Sequence, residues 1–192
     1  MSVGFYFDMT RCTGCRACQV ACKDKNRLDV GTIFRRAETY TVGAFPEVRG
    51  YSYSTSCNHC ENPACIPACP EGAIYKADDG TVIIDQQVCT GRGDCISACP
   101  YKVPQPTPEG KANKCDGCYA IRQAGGVPAC VAGCPNRALD FGDIEELRAK
   151  YGADAELVSD IALLPNSAAT SPNLLIKAKD IASDEGYNAL NW

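Results

Sequence analysis

Residues 12–22 read CTGCRACQVAC, which places four cysteines in the spacing C-x2-C-x2-C-x3-C. Cysteines this close together in one loop do not readily reach separate disulfide partners. They suit a single small inorganic group around which the backbone wraps. The fourth cysteine falls on a short helix that we predict over residues 16–25, so it faces away from the loop and toward a neighbouring group.

The same arrangement recurs along the chain as an internal repeat. The further groups are Cys57, Cys60, Cys65 and Cys69; Cys89, Cys95 and Cys99; and Cys115, Cys118, Cys130 and Cys134. A proline ends each of them, at Pro70, Pro100 and Pro135. C-x2-C-x2-C-x3-C-P is the run with which bacterial ferredoxins bind iron–sulfur clusters. The repeat therefore predicts several such clusters, held by loops and short helices.

One position of the third group departs from the repeat. Arg92 stands where the second cysteine belongs. A guanidinium keeps its proton at ordinary pH and has no lone pair to offer iron. We therefore expect a three-iron cluster there, with a four-iron cube completed by another ligand and an empty site as the alternatives. The missing thiolate and the fixed cation should both raise that cluster's reduction potential.

The composition excludes several other classes of protein. The chain has 192 residues, a net charge of −4, and 15 cysteines against one histidine. The absence of a basic excess argues against nucleic acid as a partner, and the apolar stretches are too short for a membrane span. An odd number of tightly spaced cysteines argues against a disulfide scaffold. Zinc prefers two separated C-x2-C pairs, which the crowded first group does not supply. We interpret His59 as a hydrogen-bond donor rather than a ligand.

Local patterns predict short strands around the cysteine groups. We expect strands at residues 3–8, 33–42, 74–76, 82–85, 138–141 and within 173–179, a hairpin turn at residues 78–80, and a helix capped by Asp143 that ends near Gly152. The prolines between Val103 and Pro108 should bar regular structure in an extended connector. These elements indicate an α+β, ferredoxin-like fold. The cysteine-free tail should pack on a partner subunit rather than on the clusters, anchored by Tyr187 and Trp192, with disorder as the alternative.

Four stretches carry a resemblance to a known family. They are CNHCE at 57–61, PAC at 63–65, KCDGCY at 114–119 and RALDFG at 137–142. They closely resemble the iron–sulfur subunit of dimethyl sulfoxide reductase, and the similarity runs from about Phe5 to Leu147. The wider family includes the corresponding subunits of nitrate reductase, formate dehydrogenase and polysulfide reductase.

The resemblance implies two ferredoxin-like modules, one nested in the other. Residues 1–45 and 111–152 would form the outer module, residues 46–110 the inner one, and residues 153–192 an extended, partner-wrapping tail. The implied ligands are Cys12, Cys15, Cys18 and Cys134 for cluster 1; Cys22, Cys115, Cys118 and Cys130 for cluster 2; Cys57, Cys60, Cys65 and Cys99 for cluster 3; and Cys69, Cys89 and Cys95, with Arg92, for cluster 4. The cofactors would be three [4Fe-4S] clusters and one [3Fe-4S] or atypical [4Fe-4S] cluster.

The resemblance also implies a function without bond chemistry in this chain, and therefore no catalytic residue. The clusters would relay electrons between a quinol-reactive membrane anchor and a molybdopterin catalytic subunit. The alternatives are a relay subunit of another complex, such as a hydrogenase or formate dehydrogenase, or a structural zinc module. Residues 1–6 show no signal pattern, so we expect export together with the catalytic subunit and attachment at the extracytoplasmic face. The cytoplasmic side is the alternative location.

Overall fold

The computed structural model describes residues 2–153 and 155–190. Its strands are β1 Val3–Asp8, β2 Arg36–Val42, β3 Arg49–Thr55, β4 Ile74–Lys76, β5 Val82–Ile84, β6 Gln105–Pro106, β7 Ala112–Asn113, β8 Leu139–Asp143, β9 Leu174–Lys177 and β10 Tyr187–Leu190. Its α-helices are α1 Ala17–Lys25, α2 Asp94–Ala98, α3 Tyr119–Gln123, α4 Ala129–Ala132 and α5 Ile144–Tyr151. Within these residues, no helix is long and apolar enough to cross a bilayer.

The central sheet has the order β8-β1-β9. Strand β1 pairs with β8 antiparallel and with β9 parallel, so Phe5 lies between Phe141 and Leu174. All six residues of β1 are buried. Phe5 and Phe7 face the main core, and Tyr6 packs with α5 residues on the other face. The alternating sequence marks the two faces of this strand, and both faces are covered.

Helices α1 and α4 pack closely beside the central sheet. Gly133, directly after α4, allows this approach, because a Cβ atom there would lie 2.9 Å from the Cβ of Ala21. The contact brings the helix that carries Cys22 next to the helix that carries Cys130. Cysteines far apart in the sequence are thus neighbours in space.

A second sheet has the order β10-β2-β3 and is antiparallel throughout. The predicted strand over 33–42 is confirmed in its later part, as β2. The predicted hairpin is confirmed as β4 and β5. The predicted start of the last helix is also confirmed, because the Asp143 carboxylate accepts hydrogen bonds from the Glu145 and Glu146 backbone N–H groups at 3.0 and 3.2 Å.

The prediction that the prolines bar regular structure over 103–108 is wrong. Strand β6 pairs with β7, with Pro106 opposite Ala112. Among the described residues this two-stranded ribbon has no third strand, so the missing N–H of Pro106 lies at an edge, where a proline is tolerated.

The described part of the tail folds onto the chain itself, so the expectation of an extended tail is wrong, while its packing on a partner subunit stays a prediction. Strand β9 lies in the central sheet, and Ile176 is fully buried. Val158 bridges to Ile176, and β10 extends the second sheet. Tyr187 packs edge-on against Tyr40, with ring centroids 5.7 Å apart. The physical reason is the apolar stretch within β9, which gains burial against β1. Trp192 lies outside the described residues.

Candidate metal centres

The cysteines meet in four places, numbered sites 1 to 4 in the order of clusters 1 to 4. Site 1 is a cavity that Cys12, Cys15, Cys18 and Cys134 line together with apolar side chains. The first three follow β1, and Cys134 precedes β8. Because β1 and β8 are paired, their flanking loops meet at one end of the sheet. Sheet pairing therefore closes this site.

Site 2 comprises Cys22, Cys115, Cys118 and Cys130, all of which are buried. Burial, together with the facing thiols of Cys115 and Cys130, raises the pKa of Cys22 to about 12. The packing of α1 against α4 accounts for the meeting of Cys22 with Cys130.

Site 3 is a cavity lined by Cys57, Cys60, Cys65 and Cys99. Lys114 and Thr170 also line it. Burial by itself would raise the pKa of the Cys57 thiol, but the nearby Lys114 ammonium and the His59 backbone N–H outweigh it and lower that pKa to about 5. Thr170 belongs to the tail, so the prediction that the tail stays away from the cysteine sites is wrong.

Site 4 is a cavity lined by Cys69, Cys89 and Cys95, with Arg92 on its wall. The Arg92 side chain is 59% exposed, and its Nε donates to the Asp94 carboxylate at 2.9 Å. The guanidinium is thus paired and in water, where a charge is strongly screened. The screened charge of Arg92 should therefore not raise the reduction potential of the cluster at site 4. Only the missing thiolate should raise it.

The chemistry of these donor sets fits iron–sulfur clusters. Buried thiols resist ionisation, as the raised pKa values of Cys22, Cys65 and Cys130 illustrate. A bound metal supplies the positive charge that stabilises the thiolates. Within residues 2–153 and 155–190, no three His, Cys, Asp or Glu side chains converge closely enough to hold a single metal ion. Cysteine thiols line the cavities of sites 1, 3 and 4, and thiolates are the ligands that iron–sulfur clusters take.

Backbone and side-chain amides point at several of the sulfur atoms. The Gly117 N–H donates to Cys115 Sγ and the Ala138 N–H to Cys134 Sγ, both at 3.3 Å, and Asn26 Nδ2 lies 3.5 Å from Cys22 Sγ. Hydrogen bonds of this kind stabilise the charge on cluster ligands and help to set the potential. They are present at sites 1 and 2.

Left-handed backbone conformations bend the loops around the sites. Gly14 has φ of 70°, and a Cβ atom there would lie 2.6 Å from Ser52 Oγ. Arg16 and Cys118 adopt the same region with φ of 63° and 52°, directly before α1 and α3. Non-glycine residues rarely take this conformation. The left-handed residues indicate that the backbone of these loops is held in one specific conformation around sites 1 and 2.

His59 is fully buried between sites 2 and 3. Its Nδ1 accepts a hydrogen bond from the Val82 N–H at 3.1 Å, so Nε2 carries the proton of the neutral ring. Nε2 has no hydrogen-bond partner among the described protein atoms. An N–H group oriented in this way is suited to donate to a cluster sulfur, in line with the interpretation of His59 as a donor.

Two protein-family profiles match this chain over the segments that contain its cysteine groups. The profile of the 4Fe-4S dicluster domain family matches residues 48–144, and that of the 4Fe-4S binding domain family matches residues 9–30. The B subunit of the anaerobic dimethyl sulfoxide reductase of Haemophilus influenzae is 45% identical over 193 aligned positions, which cover 95% of this chain and 92% of the relative. The protein belongs to the family of dimethyl sulfoxide reductase iron–sulfur subunits.

Two further relatives show similar agreement. The B subunit of the anaerobic dimethyl sulfoxide reductase of Escherichia coli K12 is 46% identical, over 91% of this chain and 87% of the relative. Protein NrfC of the same organism is 39% identical, over 74% of this chain and 66% of the relative. The resemblance to this family is therefore confirmed.

Sequence reasoning missed three residues of these sites. Arg35 is buried beside sites 1 and 2, Lys114 lines site 3, and Thr170 reaches site 3 from the tail. Lys114 directly precedes Cys115, and this adjacency was a usable signal. Nothing in the local sequence marks Arg35 or Thr170, because tertiary folding alone brings them to the cysteines.

Proposed function

We propose that this chain relays electrons through four iron–sulfur clusters, between a quinol-reactive membrane anchor and a molybdopterin catalytic subunit of the dimethyl sulfoxide reductase type. One observation carries the proposal: the 15 cysteines fall without remainder into four groups, three of four and one of three. A cluster bound in such a group exchanges single electrons. The chain's own task is to hold these groups apart from water and at fixed separations.

The proposed ligands follow sites 1 to 4. Sites 1, 2 and 3 would each bind a [4Fe-4S] cluster through four thiolates, and site 4 a [3Fe-4S] cluster through Cys69, Cys89 and Cys95. The shared cavities of sites 1, 3 and 4 support these sets. The packing of α1 against α4, and the place of Cys22, Cys115 and Cys130 in one buried cluster, support the set at site 2. The exposure of the Arg92 side chain and its pairing with the Asp94 carboxylate support three ligands at site 4.

The nested arrangement is also part of the proposal. Sites 1 and 2 draw on residues 12–22 and 115–134, and β1 pairs with β8 across the same two segments. Sites 3 and 4 draw on residues 57–99, around the β4–β5 hairpin. This pairing supports an outer module of residues 1–45 and 111–152 and an inner module of residues 46–110.

The partners and the location follow from the family. Relatives are named as the B subunit of a reductase, which favours assembly with further subunits. We propose that the catalytic subunit and the membrane anchor hold this chain at the membrane, on the extracytoplasmic face. In cells that lack the catalytic subunit, this chain should then stay in the cytoplasm. Its export on its own would contradict carriage by the partner.

The test of the function is to identify the proteins to which this chain attaches. The full chain, tagged and purified anaerobically from its native cells, should be brown and should bring down a molybdopterin protein and a polytopic membrane protein, identified by mass spectrometry. Addition of a quinol should reduce its clusters, and the substrate of the catalytic subunit should reoxidise them. Recovery with a hydrogenase or formate dehydrogenase would establish the alternative relay. A colourless, zinc-loaded protein would refute both.

A further inference from the structure

Arg35 is a buried cation without a carboxylate partner among the described residues. It is 1% exposed and lies directly before β2. Nη1 donates to the Ser54 backbone oxygen and to Ser54 Oγ, both at 3.1 Å, and Nη2 donates to Ser56 Oγ at 2.7 Å. The guanidinium also lies 4.3 Å from the centroid of the Phe5 ring. All of these contacts are electrically neutral.

Lys114 is in a similar position. It is 3% exposed, and its ammonium donates to the backbone oxygens of Val82 and Cys115. In the part of the chain that the structure describes, neither Lys114 nor Arg35 forms an ion pair with an aspartate or glutamate. Arg122, which is only partly buried, does pair with a carboxylate, that of Asp79.

A buried charge without a counter-charge is strongly unfavourable, and neutral hydrogen bonds do not offset the lost hydration. Within the described residues, Arg35 even retains an unpaired Nε. Burial of two such cations therefore requires negative charge nearby. Among residues 2–153 and 155–190, aspartate and glutamate do not supply it, so the source that the described structure offers is the cysteine sulfur atoms.

The sulfur atoms nearest to each cation belong to identified sites. Ser54 links Arg35 to site 1, because the same Oγ that accepts from Arg35 lies 3.4 Å from Cys18 Sγ. On its other side Arg35 approaches Cys130 and Cys115 of site 2. Lys114 lines the cavity of site 3 and faces Cys57. The cation that lines site 4 is Arg92, which is exposed and paired with a carboxylate.

We propose that Arg35 is the shared internal counter-charge of the clusters at sites 1 and 2, that Lys114 is the counter-charge at site 3, and that each raises the reduction potential of the clusters it faces. The inference rests on the proposed function, because it requires the clusters to be bound. A reduced cluster carries one more negative charge than an oxidised one, so a nearby buried cation stabilises the reduced form. Site 4, whose wall carries no buried cation among residues 2–153 and 155–190, lies outside this effect.

The test compares charge removal with charge conservation. The full chain with its co-purifying partners is prepared as the native protein and as Arg35→Gln, Arg35→Lys, Lys114→Gln and Arg36→Gln variants. Arg36→Gln is the matched control, because it removes the same charge from the adjacent, exposed position. Iron content is measured first, and the midpoint potential of every cluster is then measured by redox titration followed by electron paramagnetic resonance.

Arg35→Gln should shift two of the four potentials to more negative values, and Lys114→Gln should shift a third. Arg35→Lys should stay near the native values, and Arg36→Gln should change none. If Arg35→Gln loses iron while Arg35→Lys retains it, the charge is required for assembly and the inference also stands. Full iron with unchanged potentials, or equal loss of iron in both Arg35 variants, would overturn it. Native protein without iron would instead refute the proposed function.

Discussion

The substitution Arg92→Cys tests the composition of site 4. Three cysteines line this cavity, and the Arg92 side chain is largely exposed and paired with Asp94. Position 92 itself lies on the cavity wall, so a cysteine there is placed to supply the missing fourth thiolate. With a cysteine at position 92, the third cysteine group has the same spacing as the first. The variant should therefore bind a four-iron cube in place of the three-iron cluster.

The expected change is one iron per chain. Counting four irons for each of sites 1, 2 and 3 and three for site 4 gives about 15 irons in the native chain and about 16 in the variant. The oxidised native protein should show the paramagnetic resonance signal of a three-iron cluster, and Arg92→Cys should abolish it and lower the potential of that site. Arg92→Ser is the matched control: it removes the arginine without adding a thiolate and should keep the signal. An unchanged spectrum and iron count in Arg92→Cys would refute the assignment.

Three further predictions concern the stability of the fold. Metal removal by a chelator should unfold most of the chain, because its interior is built around cysteine sulfur atoms; an unchanged far-ultraviolet circular dichroism spectrum would contradict this. Ile176→Ala should lower the free energy of unfolding by about 2–5 kcal/mol, seen as a lower thermal midpoint, whereas Val20→Ala, at a position 63% exposed, should change it little. Deletion of residues 153–192 removes β9 and Thr170, so iron content should fall together with partner association; full iron in the truncated chain would show that the tail does not support site 3.

Much of the site was accessible from the sequence because cysteine spacing is a local property. A cluster loop is specified within about ten residues, and the spacing of residues 12–22 identifies it without any tertiary information. The turn at residues 78–80 and the cap at Asp143 are likewise set by neighbouring residues. These predictions are confirmed by the hairpin β4–β5 and by the start of α5.

The features that were missed depend on contacts between distant segments. Strand β3 begins with Arg49 and Gly50 and contains three hydroxyl-bearing Ser and Thr residues, so its own pattern is weak, and its pairing with β2 defines it. The sequence predicts a strand within residues 173–179, but nothing in that stretch indicates that it pairs with β1. Arginine is rarely fully buried, and the hydroxyl groups that hold Arg35 come from Ser54 of β3 and from Ser56 directly after that strand.

The most direct measurement of the central claim is a metal and redox assay of the full chain, purified anaerobically with its partners. We predict a brown protein with about 15 irons per chain, essentially no zinc, and four separate one-electron couples in a redox titration followed by electron paramagnetic resonance. A folded, colourless protein that contains zinc and shows no redox couple would contradict this claim.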